Sequence, residues 1–442
     1  MDPKASEISM AGTIADNVQI NVHYLTRVEG HGNIVVNVNN GVLEQCDLEI
    51  IEAPRYFEAM LRGQPYTQAP RLASRICGIC AVAHSTTSTR SVERALGIKP
   101  SQQTILLRKL GYQGEMLDSH ILHVYMLVAP DLFGVGSVIP LAQSSPEIVN
   151  RALRMKKMAG DICAVVYGRH THPIAMTVGG FTHFPSVMEL EALMASLEAI
   201  RPDIEATVEL FQSLKLPDFE RETEFIALHK DDEYCLIDGE IVSSDGGSWP
   251  LEQYKQVTNE FLVSHSTAKH ARNQRQSYMV GALARFNLNH KQLQPHARAA
   301  AAALSLSPVC TNPYFNTVAQ LVEIVHCYEE AIGIIGQLLE NGVYPEEPVK
   351  PGRYSGEGVG ACEAPRGTLY HHYLINNGYV AEANCVIPTG QNLANIEADM
   401  RALVPKLLNR TPEEITKSLE MLVRAYDPCI SCSAHMLEVS FV

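Results

Sequence analysis

Apolar and polar residues alternate over residues 18–22 and nearly alternate over 33–38, and Asn39-Asn40-Gly41 supplies a turn before a third extended run over 42–51. A period of two sends successive side chains to opposite faces of a sheet, and Asn-Gly is a favoured hairpin turn. Residues 18–51 therefore predict a small antiparallel sheet. After Pro70 the period lengthens. Residues 102–128 carry apolar side chains at mixed three- and four-residue spacing, which predicts a long helix that breaks before Pro130. The same spacing predicts helices over 145–158, 187–214, 292–304, 317–339, 393–408 and 412–426. Between Glu224 and Ser248 short β-like runs return, divided by Asp238-Gly239 and Asp245-Gly246-Gly247 turns. No internal repeat, low-complexity linker or long single-sign charge block interrupts the chain. The expected fold class is α+β, predominantly α, in one integrated domain: a large helical bundle core with small peripheral antiparallel sheets.

Charge and cysteine usage narrow the setting. A net charge of −14 over 442 residues argues against a nucleic-acid partner, because binding phosphates takes clustered Lys and Arg. Eleven cysteines are an odd number, and seven of them (Cys46, Cys163, Cys235, Cys310, Cys327, Cys362 and Cys385) are scattered, unlike a secreted disulfide framework. Residues 1–16 are acidic and polar where a signal peptide needs an apolar stretch, and a twin-arginine pair is absent. No apolar run approaches the ~20 residues of a membrane span. The chain is expected to be cytoplasmic, in a reducing compartment.

The remaining four cysteines form two matching pairs. The first reads Arg75-Ile76-Cys77-Gly78-Ile79-Cys80, with His84 following; the second reads Asp427-Pro428-Cys429-Ile430-Ser431-Cys432, with His435 following. Roughly 350 residues separate them, far more than the spacing within a compact zinc finger. Four thiolates gathered from such distant segments would make a deeply held soft-metal site, suited to nickel, copper, zinc or iron rather than magnesium or calcium. A structural zinc site and simple buried cysteines are the plain alternatives. A structural zinc needs neither the two histidines nor the Asp-Pro before the second pair. A thioredoxin-like redox motif would want a single pair in a βαβ setting.

These two motifs together resemble those of the large catalytic subunit of nickel–iron hydrogenases. Further segments are similar to the family in its own order: T-R-V-E-G-H at 26–31, R-Y-F-E-A-M-L-R-G at 55–63, D-S-H-I-L-H-V-Y at 118–125, G-R-H-T-H-P at 168–173, V-G-G-F at 178–181, V-G-A-L-A-R at 280–285, E-A-P-R-G at 363–367 and I-P-T at 387–389. The resemblance covers nearly the whole chain. The phrases I-I-E-A-P-R-Y-F-E-A, V-S-H-S-T-A-K-H and R-A-Y-D-P-C-I-S-C-S resemble the soluble, cytoplasmic, NAD(P)-linked branch, including the sulfhydrogenases.

The resemblance implies a set of roles. Cys77, Cys80, Cys429 and Cys432 would bind nickel, and Cys80 and Cys432 would bridge to an iron carrying CO and cyanide. Cys429 would take the proton released on hydrogen cleavage and Glu29 would relay it, since proton transfer needs a carboxylate within hydrogen-bond reach. Arg366, paired with Asp427, would stand over the open coordination position as a permanent charge. Thr389 would hydrogen-bond a cyanide, and His84 would orient a bridging thiolate. Glu58, the carbonyl of Cys385 and His435 would hold a second ion, magnesium or iron. Ser119 stands where many membrane-bound relatives have an aspartate. His120, His123, His170 and His265 are read as packing or hydrogen-bonding residues.

The implied domain is 1–435, with 436–442 removed after His435 by a maturation endopeptidase. The implied assembly is a heteromultimer, with a small subunit carrying iron–sulfur clusters and diaphorase-type subunits carrying flavin, further clusters and the NAD(P) site. No G-x-G-x-x-G fingerprint or leftover cluster-type cysteine set appears in this chain itself. A hydrogen-sensing subunit is the alternative. A hydrogenase-derived scaffold is opposed by the retention of all four cysteines.

Overall fold

The computed structural model describes residues 17–434. His435 and the 436–442 segment expected to be removed lie outside the described residues. The opening sheet forms as its alternation dictates: Val18–Val22, Gly32–Asn39 and Val42–Ile50 pair antiparallel in sequence order. Ile20, Ile34, Val36, Leu48 and Ile50 form its buried face. Asn40 and Gly41 both take positive φ, 49° and 74°, the geometry that lets a two-residue turn follow the twist of its strands.

The helical body is built around Gln102–Leu122, which packs on Pro146–Tyr167 and on Phe315–Asn341, while Val187–Gln212 packs against both of the latter helices. The predicted break before Pro130 does not occur. The long helix widens into a π turn over His123–Val128 and continues through Ala129–Leu132. Pro130 follows the π turn directly, where the regular hydrogen-bond ladder is already widened. Among the described residues no helix is long and apolar enough to cross a membrane.

Several elements have no counterpart in the predicted set, and two of them matter most for the site. One is the helix Ala81–Leu96; the other is a three-stranded antiparallel sheet of Gly356–Ala364, Gly367–Asn376 and Tyr379–Val386. They pack directly on each other. A Cβ on Gly358 would stand 2.3 Å from the Ser91 carbonyl oxygen, and one on Gly360 would stand 2.1 Å from that of Thr87. Only glycine permits this approach of strand to helix. The helix buries Thr86, Thr87, Ser88, Thr89 and Ser91. Ser91 Oγ donates to the Gly358 carbonyl at 2.8 Å. A further, four-stranded sheet orders Ser248–Trp249, Glu240–Ser243, Glu224–His229 and Tyr278–Met279, with the last pair parallel.

Candidate metal centre

The first cysteine pair is shaped by its own turn. Cys77 follows the short Ser74–Ile76 helical turn, and the backbone N–H groups of Ile79 and Cys80 donate to its Sγ at 3.3 and 3.1 Å. Cys80 stands at the N-terminus of Ala81–Leu96, where exposed N–H groups favour negative charge. Glu115, from the neighbouring long helix, accepts from Val82 N at 2.5 Å and Ala83 N at 2.7 Å, so the helix start is capped from outside its own segment.

The second pair is held by residues remote in sequence. Asp427 turns the chain with a positive φ of 52°. Cys429 N donates to Thr389 Oγ1 at 2.8 Å, and Ile430 N donates to the Glu29 carbonyl at 2.9 Å. Ser431 N donates to Glu29 Oε2 at 3.1 Å, and Arg55 Nη2 donates to the Ser431 carbonyl at 2.5 Å.

These two scaffolds bring four buried sulfurs together. Cys77 Sγ lies 3.6 Å from Cys429 Sγ, Cys80 Sγ lies 3.8 Å from Cys432 Sγ, and all four sit within 4.8 Å of one another. The thiols do not ionise alike. Burial opposes the Cys77 thiolate, but hydrogen bonds from its three neighbours and the charge of Arg366 hold that thiol well below its ordinary value. Burial pushes Cys429 and Cys432 well up. At Cys80, bonds from Cys429 and Cys432 favour the thiolate, yet Cys77 and burial together leave it raised to about 11. Adjacent anions in a dry site repel, and a cation among them removes that repulsion.

Arg366 supplies a second mark of a missing partner. Its Nε donates to Asp427, at 2.9 Å to the carbonyl and 3.0 Å to Oδ1, while its buried Nη1 and Nη2 make no hydrogen bond. Burial works against the Asp427 carboxylate, but Arg366, His123 and His120 hold it below the usual range. Gln320 Nε2 donates to Asp427 Oδ2 at 3.0 Å, and Gln320 Oε1 lies 2.5 Å from His123 Nδ1. Four soft sulfur donors beside a guanidinium with unused N–H groups fit a thiolate-bound nickel–iron pair whose ligands accept hydrogen bonds.

Glu29 is half-buried, and its Oε2 lies 3.1 Å from Cys429 Sγ, so the predicted relay carboxylate meets the predicted proton acceptor. Thr389 reaches the site through Cys429 N. The Nδ1 of His84 lies 3.1 Å from His371 Nε2, and His371 Nδ1 lies 2.7 Å from the Tyr373 hydroxyl. Glu58 is buried; its Oε1 accepts from Cys385 N at 2.6 Å and from Asn384 Nδ2 at 3.4 Å. Arg55 N donates to the Ala434 carbonyl at 2.9 Å, which brings the residue before His435 to the Glu58 segment. Ser119 is buried, and its hydroxyl has no hydrogen-bond partner.

Sequence reasoning missed Glu115, Gln320 and Glu323. Glu323 accepts from Arg285 Nε and Nη2, both at 2.6 Å, and from Tyr234 OH at 2.7 Å, and lies 2.7 Å from His120 Nε2. The available signal was polarity on a buried stripe: Gln320 and Glu323 stand three apart on the inward face of Phe315–Asn341.

Comparison with known proteins agrees with this geometry. Residues 55–147 and 250–435 match the family Nickel-dependent hydrogenase, and residues 19–53 match the family HoxL-like. The chain is 34% identical over 426 residues to Sulfhydrogenase 1 subunit alpha of Pyrococcus furiosus, covering 95% of this chain and 98% of the relative. It is 28% identical over 469 residues to NAD-reducing hydrogenase HoxS subunit beta of Cupriavidus necator, covering 93% and 94%. The crystal structure of an NAD+-reducing [NiFe]-hydrogenase in the H2-reduced state superposes with a TM-score of 0.84 at 28% identity, over 95% of this chain and 99% of the other.

Proposed function

The chain belongs to the nickel-dependent hydrogenases, oxidoreductases acting on hydrogen, and we propose that it is the catalytic large subunit of a soluble complex that exchanges electrons between hydrogen and NAD(P). The observation that carries this reading is the Glu29 carboxylate at 3.1 Å from Cys429 Sγ, within a cage of four buried sulfurs. Cys77, Cys80, Cys429 and Cys432 would hold a nickel–iron centre, Cys80 and Cys432 serving the iron as well, and that centre would supply the two-electron chemistry of heterolytic hydrogen cleavage. Cys429 Sγ receives the proton and Glu29 Oε2 accepts it next. From there the half-buried carboxylate passes it outward. Arg366 Nη1 and Nη2 and the Thr389 hydroxyl would donate to the centre's cyanide ligands, and Asp427 holds the guanidinium through its Nε. His84 orients a bridging thiolate. Glu58, the Cys385 carbonyl and His435 would hold a magnesium or iron ion.

Electrons leave through a small subunit with iron–sulfur clusters and then through flavin-bearing diaphorase subunits in the cytoplasm. Removal of 436–442 after His435 by a maturation endopeptidase completes the subunit, and the intact mass of the active enzyme checks this step. The central test is infrared spectroscopy with metal analysis on the purified complex. Bands of metal-bound CO and cyanide, one nickel per subunit and hydrogen-dependent NAD(P) reduction are expected. An active preparation without those bands refutes the centre, and hydrogen binding without NAD(P) turnover favours a sensor.

A further inference from the structure

Besides the four cysteines, one other group of metal-ligating side chains among the described residues brings its donor atoms within 4.8 Å of one another: His265, His270 and Glu397. Glu397 projects from the Pro388–Leu407 helix, and both histidines belong to the segment that runs between this helix and the opening sheet. Thr267 N donates to the Ile50 carbonyl at 3.0 Å, and Leu48 N donates to Glu397 Oε1 at 3.1 Å, so strand, helix and loop are fixed against each other here. His265 Nε2 lies 2.7 Å from Glu397 Oε1, and His270 Nε2 lies 3.6 Å from the same oxygen.

His270 is the informative member. It is 2% exposed, yet neither of its ring nitrogens has a hydrogen-bond partner. Its one polar contact is a long ion pair from Nε2 to Glu397, and a buried polar group without a full hydrogen bond costs about 1–3 kcal/mol, so such groups are rare without a ligand or role. A separation of 3.6 Å is too long for an N–H···O bond. It is close to the ~3.3 Å between neighbouring donors around a tetrahedral ion with bonds of ~2.0–2.1 Å, and His265, hydrogen-bonded to Glu397 at 2.7 Å, would draw back to that spacing on binding. His265 is half-buried and opens the cluster to solvent, which gives an entry path and a water for the fourth position.

We propose that His265, His270 and Glu397 bind a divalent transition-metal ion of the zinc class, at a site distinct from the four-cysteine centre and from the Glu58 site. Two imidazoles and one carboxylate suit zinc and are a poor match for magnesium, which prefers an all-oxygen octahedron. Lys269, the neighbour of His270, turns to Glu260 at 3.3 Å, and the chain pairs as an extended bridge at His270, so the two side chains leave it on opposite sides. The ion ties the histidine segment to the helix that also carries Thr389. His265, which the sequence alone assigns to packing or hydrogen bonding, thereby becomes a ligand.

The test uses the assembled complex, treated with chelator, incubated with zinc and desalted. About one zinc per large subunit more is expected in wild type than in His265→Gln or Glu397→Gln, with nickel content and the infrared spectrum alike in all three. Equal zinc in wild type and both variants overturns the site. Should a variant fail to assemble, zinc X-ray absorption of the wild type decides alone. A nitrogen and oxygen shell at ~2.0–2.1 Å supports the site, and a sulfur shell or no bound zinc overturns it.

Discussion

The two Cys-x-x-Cys motifs are alike in sequence and opposite in how they are held. The first is held largely by its own turn: its Ile79 and Cys80 N–H groups bind Cys77 Sγ, and a 16-residue helix starts at once, with Glu115 as its cap from a neighbouring helix. The second has only the four-residue helix Ile430–Ser433 and leans on Glu29, Arg55, Arg366 and Thr389. Its supports are drawn from across the chain, and three of them, Glu29, Arg366 and Thr389, are groups with proposed roles at the centre. The comparison separates a template from a working arm. On the proposed roles, the first pair would fix where the metals sit, and the second would bring the proton acceptor and its relay along with it.

That contrast can be broken at graded cost. Cys429→Ser should abolish hydrogen uptake, because a serine oxygen is hard and stays protonated; any residual uptake above the metal-free background counts against the assignment. Glu29→Gln keeps size and hydrogen bonding but cannot carry a proton. It should lower turnover and hydrogen–deuterium exchange by roughly 10²–10⁴-fold with the resting infrared spectrum unchanged. Unaltered exchange would move the relay elsewhere. Thr389→Val removes the acceptor for Cys429 N and should reduce activity about 10–100-fold, read together with nickel content. The smallest effect is expected on the template side. Glu115→Ala uncaps the Ala81–Leu96 helix and should cost about 1–2 kcal/mol, seen in denaturant midpoints, while nickel content holds. Loss of nickel from that variant would show that the first pair, too, depends on remote support.

Much of the centre was legible because its chemistry sits in short motifs. The cysteine pairs, Glu29, Arg366, Asp427 and Thr389 all converge as their motifs implied. The opening sheet was legible because one face is buried and the other is not. Ala81–Leu96 escaped because its buried face is Ser and Thr rather than Leu and Ile, so no apolar stripe marks it. The 356–386 sheet escaped for a related reason: it is buried on both faces over much of its length and glycine-rich against the helix, which erases alternation. Pro130 misled because a widened turn can carry a proline inside a continuing helix, as the π turn just before it does here. Glu115 and the His265–His270–Glu397 cluster depend on contacts between distant segments, which no local pattern records.

Cys77 and Cys429 lie 352 positions apart, and this separation also orders events in time. Bringing such distant points of a flexible chain together costs roughly 5 kcal/mol of loop entropy, so their meeting comes late in folding. A growing polypeptide on the ribosome exposes the first thiol pair long before the second exists. Two thiolates make an incomplete cage, and the relay carboxylate waits beside an empty place until Cys429 arrives. Loading is therefore possible only for a chain translated through both motifs, and fragments from interrupted synthesis are left without metal. The span between the motifs acts as a check on completeness, built into the order in which the ligands are made.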